Sequence, residues 1–244
     1  MLMASFTDNA VVLRRYDYSE TSQILVLMTQ EHGKIRAIAK GIKRGTKKRF
    51  STAIDILEVG RVAVSAKVDR PMELASVTEW TQSIGYSGLR DRLDSLYAGQ
   101  YCVEITSELT EDWDPHPGLY EAMVRVLAEV SSGQDAIGSA VRYQQALLLA
   151  VGSLPQFDNC VGCGRGGESH AFASTQGGML CDACGVGARE KHPVTKGTLD
   201  YLRSGEGSLP PIGPFRLLDY HINHLIGRPT RLAKKLLDAA DMSR

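Results

Sequence analysis

Apolar and polar positions change period along the chain. Up to about residue 80 the runs are short and rich in β-formers: Val11 to Tyr18, Gln23 to Thr29 and Lys34 to Lys40. Arg61 to Val68 alternates, with Val62, Val64, Ala66 and Val68 pointing one way and Arg61, Ala63, Ser65 and Lys67 the other. His32-Gly33, residues 41–46, Gly60 and Arg70-Pro71 break these runs. Four or five short strands in so small a span predict a small antiparallel barrel. An SH3-like barrel fits the pattern nearly as well.

From residue 87 to about 154 the period becomes helical. Leu93, Leu96, Tyr97, Tyr101, Ile105 and Leu109 form one stripe. Leu119, Met123, Val126, Leu127 and Val130 form a second, and Ala140, Tyr143, Leu147, Val151 and Leu154 a third, ended by Pro155. A Gly- and Cys-rich stretch follows, after which Phe215, Leu218, Ile222, Leu225 and Ile226, then Leu232, Leu236 and Leu237, resume helical spacing on either side of Gly227 and Pro229. The expected architecture is multi-domain α+β. A β-barrel occupies 1–80, a helical domain 81–156 and 189–244, and a small module is inserted at 157–188.

Composition changes this picture little. At 244 residues, 43% hydrophobic and 23% charged, the chain has globular values. The start lacks a charged segment followed by an apolar core, so no signal peptide is expected. The longest apolar cluster, 146–151, is far short of the ~20 residues that cross a bilayer, so no membrane is expected as a partner. Charge matters more. Lys plus Arg and Asp plus Glu are both 28, yet residues 34–49 hold eight cations and no acid, leaving 20 basic against 28 acidic residues, or −8, elsewhere. That segregation points to an anionic partner.

Four of the five cysteines form two close pairs. Cys160-Val161-Gly162-Cys163 and Cys181-Asp182-Ala183-Cys184 are separated by 17 residues, the spacing of a tetrahedral zinc site. Two residues between cysteines let one turn aim both sulfurs at one ion, and Gly162, Gly164 and Gly185 supply permissive backbone. Ala171 to Ala173 and Gly178 to Leu180 fit a hairpin between the knuckles. Four thiolates leave no open position, so one structural Zn2+ per chain is expected. A pair of redox dithiols is the alternative, without a thioredoxin-like βαβ context around either pair. His170 and His192 are expected at the surface, and Cys102, beside the first helical stripe, in the core.

Lys43, Arg44, Lys47, Lys48 and Arg49 fall in a loop between strands, where cations neutralise phosphates and release counterions. Lys34, Arg36 and Lys40 share one face of the preceding strand at period two, and Arg14, Tyr16 and Tyr18 one face of the first. Cations with aromatics on a barrel face make a stacking platform for single strands. One of the two tyrosines capping the core, and a merely solvated basic loop, are the plainer alternatives. The acidic group Glu111, Asp112 and Asp114 beside Trp113 reads as a solvated loop, and His221 with His224 as packing in the C-terminal helices.

Arg14 to Ser22, Thr29, His32-Gly33-Lys34 and Lys40 to Arg44 together resemble the N-terminus of the RecO family of bacterial DNA repair and recombination mediators. The likeness runs in order through the helical region, the four-cysteine insert and residues 217–229. It implies an OB-fold barrel, binding of single- and double-stranded DNA and annealing of complementary strands. It also implies loading of RecA onto strands coated with single-strand binding protein, with RecR and that protein's acidic C-terminal tail as partners. Arg125 and Arg142 are candidate contacts for the tail. A cytoplasmic, nucleoid-associated location follows from the same likeness.

No nucleophile–base pattern, phosphate-binding loop or deaminase signature is present, so no enzyme is expected. Two other classes stay open: a zinc-dependent scaffold that binds an acidic protein without touching DNA, and a metal-dependent hydrolase.

Overall fold

The computed structural model describes residues 3–42, 54–67, 73–166, 171–205 and 211–243. Five strands close the N-terminal barrel: β1 (Met3–Asp17), β2 (Gln23–Thr29), β3 (Gly33–Ala39), β4 (Val59–Lys67) and β5 (Ala75–Ile84). Their order around the barrel is β1-β2-β3-β5-β4, with β3 and β5 parallel and every other pair antiparallel. That closure is the OB-fold arrangement, and it removes the open edges that an SH3-like reading would have left undecided. β1 is about twice the length read from the sequence. Residues 3–11 pair with β4 and residues 10–17 with β2, and a bulge between Val12 and Arg14 turns the strand from one neighbour to the other.

The interior holds Ala10, Val12, Leu25, Leu27, Ile35, Ala37, Val62 and Val64, with Trp80 as the largest filler. Gly60 makes room for that indole. A Cβ there would lie 2.7 Å from the Trp80 ring and 2.6 Å from the Thr81 carbonyl oxygen, so the barrel closes over Trp80 only with glycine at this place.

The helical layer consists of α1 (Leu93–Leu109), α2 (Pro117–Ser131) and α3 (Ala136–Ala150). After the cysteine module come α5 (Lys196–Ser204), α6 (Ile212–Ile226) and α7 (Ala233–Met242). The Asp135 carboxylate accepts from the amides of Ile137 and Gly138 and starts α3. That helix ends at Ala150, earlier than its stripe suggested: Gly152 is left-handed at φ +68°, and Leu154 is 38% exposed instead of buried. Between α3 and α5 lies a three-stranded sheet of β6 (Ala171–Ala173), β7 (Gly178–Leu180) and β8 (His192–Pro193), with the single-turn α4 (Asp182–Gly185).

One hydrophobic core joins these parts. Val11, Leu13, Val26, Met28, Leu57 and Val59 on the outside of the barrel pack into the same cluster as Tyr101, Cys102, Ile105 and Tyr143 of the helices and Phe172 and Met179 of the cysteine sheet. Cys102 is fully buried, as its place in the stripe suggested, and burial drives its thiol pKa far up. Among the described residues, no helix is long and apolar enough to cross a membrane.

Candidate nucleic-acid interface and metal centre

The register of β1, β2 and β3 places the candidate residues in rows across the outer face. Val11, Met28 and Lys34 form the first, Arg14, Val26 and Arg36 the second, and Tyr16, Ile24 and Ile38 the third. Tyr18 and Lys40 stand just past the strand ends. The first row is covered by helices; in the later ones Val26 and Ile38 stay buried, while Arg36 and Tyr16 at their ends emerge. Tyr16 is 49% exposed, Tyr18 64%, and the Arg36 side chain 62%. Neither tyrosine is a core cap. The upper part of this face thus offers two rings beside two cations.

Lys34 departs from the expectation. Its ammonium points into the molecule and donates to the carbonyl oxygens of Ser107, at 2.9 Å, and Thr110, at the C-terminal end of α1. Asp112 lies 3.6 Å away. Burial pushes its pKa down, against the pull of Asp112. The period-two pattern assigns Lys34 to the outer face correctly, but that part of the face is roofed by α1. A cation at a helix C-terminus satisfies orphan carbonyls and complements the dipole. Lys34 is therefore a strut between barrel and helix.

The acidic linker provides the second half of the strut. Residues 110–116 are docked rather than solvated: Asp112 bridges to β3 beside Lys34 and pairs with Arg36 at 2.9 Å, and the Trp113 amide donates to the Lys34 carbonyl. Gly33 permits this approach. Its φ is +73°, and a Cβ would stand 2.2 Å from the Asp114 carbonyl oxygen. Arg14 is likewise engaged, with Glu108 of α1 at 2.5 Å. Burial alone would raise the Glu108 pKa, but Arg14 and Arg228 together hold it below the usual carboxylate value.

Lys43, Arg44, Lys47, Lys48 and Arg49 lie outside the described residues, as does His170. Arg142 is paired with Glu129 at 2.7 Å and bonds Ser139, while Arg125 is exposed. His192 stacks on Tyr220 with ring centroids 5.0 Å apart. His221 is buried, accepting from the Ser174 hydroxyl at Nδ1 and donating from Nε2 to the Ser153 carbonyl, and burial lowers its pKa toward the neutral form. It ties α6 to the cysteine sheet.

The four cysteines converge as their spacing predicted. The Sγ atoms of Cys160, Cys163, Cys181 and Cys184 all lie within 4.8 Å of one another, and those of Cys163 and Cys181 are 3.8 Å apart. A tetrahedron built on ~2.3 Å zinc–sulfur bonds has edges of roughly that length. β6 and β7 pair as the hairpin between the knuckles. Of the three glycines, Gly164 alone takes a left-handed φ. The Cys181 backbone amide, followed by those of Cys163 and Gly162, draws the Cys160 thiol down to about 6, while the neighbouring sulfurs push Cys184 up to about 12. Four sulfurs this close repel as thiolates, and a divalent cation is the chemistry that lets all four release their protons.

Sequence reading missed the helical-layer cations that reach the barrel, Arg228 and Arg231. Arg228 donates to the same Glu108 oxygen as Arg14, at 2.8 Å. The signal was available: residues 228–235 carry four cations and no acid.

Comparison with known proteins gives a consistent result. Residues 3–84 match the family model for the recombination protein O N-terminal region, and residues 90–229 that for its C-terminal region. DNA repair protein RecO of Myxococcus xanthus is 32% identical over 235 residues, which cover 93% of this chain and 94% of that protein. The RecO protein of an Anaeromyxobacter species (strain K) is 30% identical over the same shares. That of Rubrobacter xylanophilus is 31% identical over 82% of this chain and 80% of its own length.

Proposed function

The chain belongs to the RecO family of DNA repair proteins, and from that premise we propose that it binds single- and double-stranded DNA through the barrel and anneals complementary strands. In the same reading it helps load RecA onto DNA coated with single-strand binding protein, together with RecR and with the acidic tail of the coating protein. One observation carries the proposal: Tyr16 and Tyr18 stand exposed beside Arg36 and Lys40 on the part of the barrel that the helices leave open.

The roles divide as follows. Arg36, Lys40, Lys43, Arg44, Lys47, Lys48 and Arg49 neutralise phosphates. Tyr16 and Tyr18 stack on unpaired bases, each worth about 1–3 kcal/mol. Arg14 lends a partly neutralised guanidinium and orients Tyr16, whose hydroxyl accepts from it at 3.5 Å. Lys34 holds the barrel to α1 instead of touching DNA. One structural Zn2+ sits on Cys160, Cys163, Cys181 and Cys184 and braces the helical layer. Screening the phosphates lets two strands approach, and base pairing then needs no covalent step, so the protein acts as a mediator rather than an enzyme. Work of this kind places it in the bacterial cytoplasm at the nucleoid.

The test is binding of a fluorescent single strand as salt is raised. Contact with roughly six to eight phosphates of a single strand predicts a fall in affinity of about 300- to 2,000-fold between about 50 and 200 mM salt. Replacing Lys43, Arg44, Lys47, Lys48 and Arg49 together by alanine should flatten that dependence. Tyr16→Ala should weaken binding roughly 5- to 150-fold with the salt slope unchanged. A flat wild-type salt response, or a strand that prefers neither protein, removes the barrel as the site.

A further inference from the structure

The stretch Arg228-Pro229-Thr230-Arg231-Leu232-Ala233-Lys234-Lys235 joins α6 to α7, and the fold carries it onto the edge of the barrel face. Two contacts fix its place. Arg228 and Arg14 share one oxygen of Glu108. Glu104 of α1, itself buried, accepts from the amides of Arg231 and Leu232 and from Arg231 Nε, at 3.0 to 3.1 Å. That carboxylate caps α7 and pairs with the Arg231 guanidinium at Nε, yet the side chain is 69% exposed and its two terminal nitrogens are not part of that bond. A groove of about 320 Å³ runs between Arg14, Arg15 and Tyr16 on the barrel side and Glu104, Arg231 and Leu232 on the helical side.

The charges around this groove do not balance. Arg14, Arg15 and Arg231 line it, and Arg228, Lys234 and Lys235 lie in the same segment beyond its lining, six cations in all. The carboxylates paired with them are Glu104, Glu108 and Asp55, and Asp55 is shared with Arg90. Lys234 and Lys235 are exposed, the latter 6.0 Å above the Tyr97 ring. A concentration of cations with a concave floor, in a chain of zero net charge, is a field suited to a polyanion. Continuity decides which polyanion. Tyr16 belongs to both the stacking face and the lining of the groove, so a strand stacked on that ring is already at the groove's mouth.

We infer that a single-stranded phosphodiester backbone does not end at the barrel but crosses the seam past Tyr16 and continues over the first turn of α7, along Arg228, Arg231, Lys234 and Lys235. The inference rests on the barrel reading above and extends its track to a second element. It gives this chain a binding site longer than a lone OB-fold supplies.

Strand length separates the two. The full chain is titrated with fluorescent oligothymidylates of about 8 nucleotides, which fit one OB-fold site, and about 30, which overreach it. The variants are Arg231→Gln and the double variant Lys234→Gln/Lys235→Gln. The double variant breaks no ion pair described above, and thermal melting verifies its fold. The short strand should bind both variants within twofold of wild type. The long strand should lose tenfold or more in affinity, and its log–log salt slope should fall by about 0.7 for each phosphate contact removed. Unchanged affinity at both lengths, or equal loss at both, overturns the seam track. So does a groove in which poly-aspartate binding, and not DNA binding, responds to the variants. A wild-type chain that binds neither strand refutes the barrel reading itself, whereas wild type and variants that bind both lengths alike refute the seam alone.

Discussion

Replacing Lys34 by methionine separates a strut from a DNA contact. The substitution keeps the apolar stem and removes an ammonium that donates to the carbonyls of Ser107 in α1 and of Thr110 at its C-cap and faces Asp112. Each charge-assisted hydrogen bond contributes about 1.5–3 kcal/mol net, and the freed carbonyls are poorly placed to recover water. Burial works the other way: the lowered pKa of this lysine records the cost of holding its charge away from solvent. Together these leave an expected loss of about 2–4 kcal/mol. Since barrel and helices share one core, they should melt together, and in a chain of this size that loss lowers the melting temperature by roughly 5–15 °C. Arg36→Met is the control. Its pair with Asp112 is largely exposed on the arginine side, so stability should change by less than about 1 kcal/mol. The assay is urea denaturation of both variants, followed by strand binding per folded molecule. Lys34→Met should be less stable with unchanged affinity, and Arg36→Met stable with weaker binding. If Lys34→Met keeps wild-type stability and loses tenfold in affinity, the lysine is a contact and the strut assignment is wrong.

Three further outcomes can be measured. Gly33→Ala forces a Cβ to within 2.2 Å of the Asp114 carbonyl oxygen at a left-handed φ, so several kcal/mol of stability should disappear in chemical denaturation. Burial alone would raise the Glu190 pKa. Bonds from the Tyr220 hydroxyl and the Thr175 and Ser174 amides instead hold it at about 2, below the unfolded value of 4.5. A depressed carboxyl stabilises the fold above the unfolded pKa and loses that effect as pH falls through the folded one, so wild type and Glu190→Gln should converge in stability between pH 4.5 and about 2. Elemental analysis should find one zinc per chain, and chelation or Cys181→Ser should lower the melting temperature, because Phe172 and Met179 of the cysteine sheet belong to the main core.

Much of this was legible before any coordinates. Strand alternation around Val62 and Val64, the three helical stripes and the paired cysteines are local patterns, and each appears where its period or spacing put it, except that the third stripe overran its helix by Val151 and Leu154. Three things were not local. The early half of β1 could not be told from a tail, because residues 3–10 become a strand through pairing with β4 some fifty residues later. β5 hides behind a register shift between Ala63 and Val64, which breaks the alternation leading to Trp80. Lys34 shows the general limit. Period two says which side of a strand a residue occupies, but only the helix laid against that side decides whether it meets solvent or a carbonyl. Arg228 and Arg231 were overlooked for the opposite reason: their segment is far from the barrel in sequence, and the contact through Glu108 and Glu104 is purely tertiary.

The shared core has a practical corollary for dissecting the protein. Cutting the chain after β5 would strip cover from Val11, Leu13, Val26, Met28, Leu57 and Val59 and present six apolar side chains to water. Neither fragment would then behave as the corresponding part of the whole, and insolubility or sticky binding in a truncated piece would report the exposed scar. Assigning tasks to the halves therefore calls for single-residue changes in the intact chain. By the same logic, the two halves should resist being inherited as separately exchangeable genes.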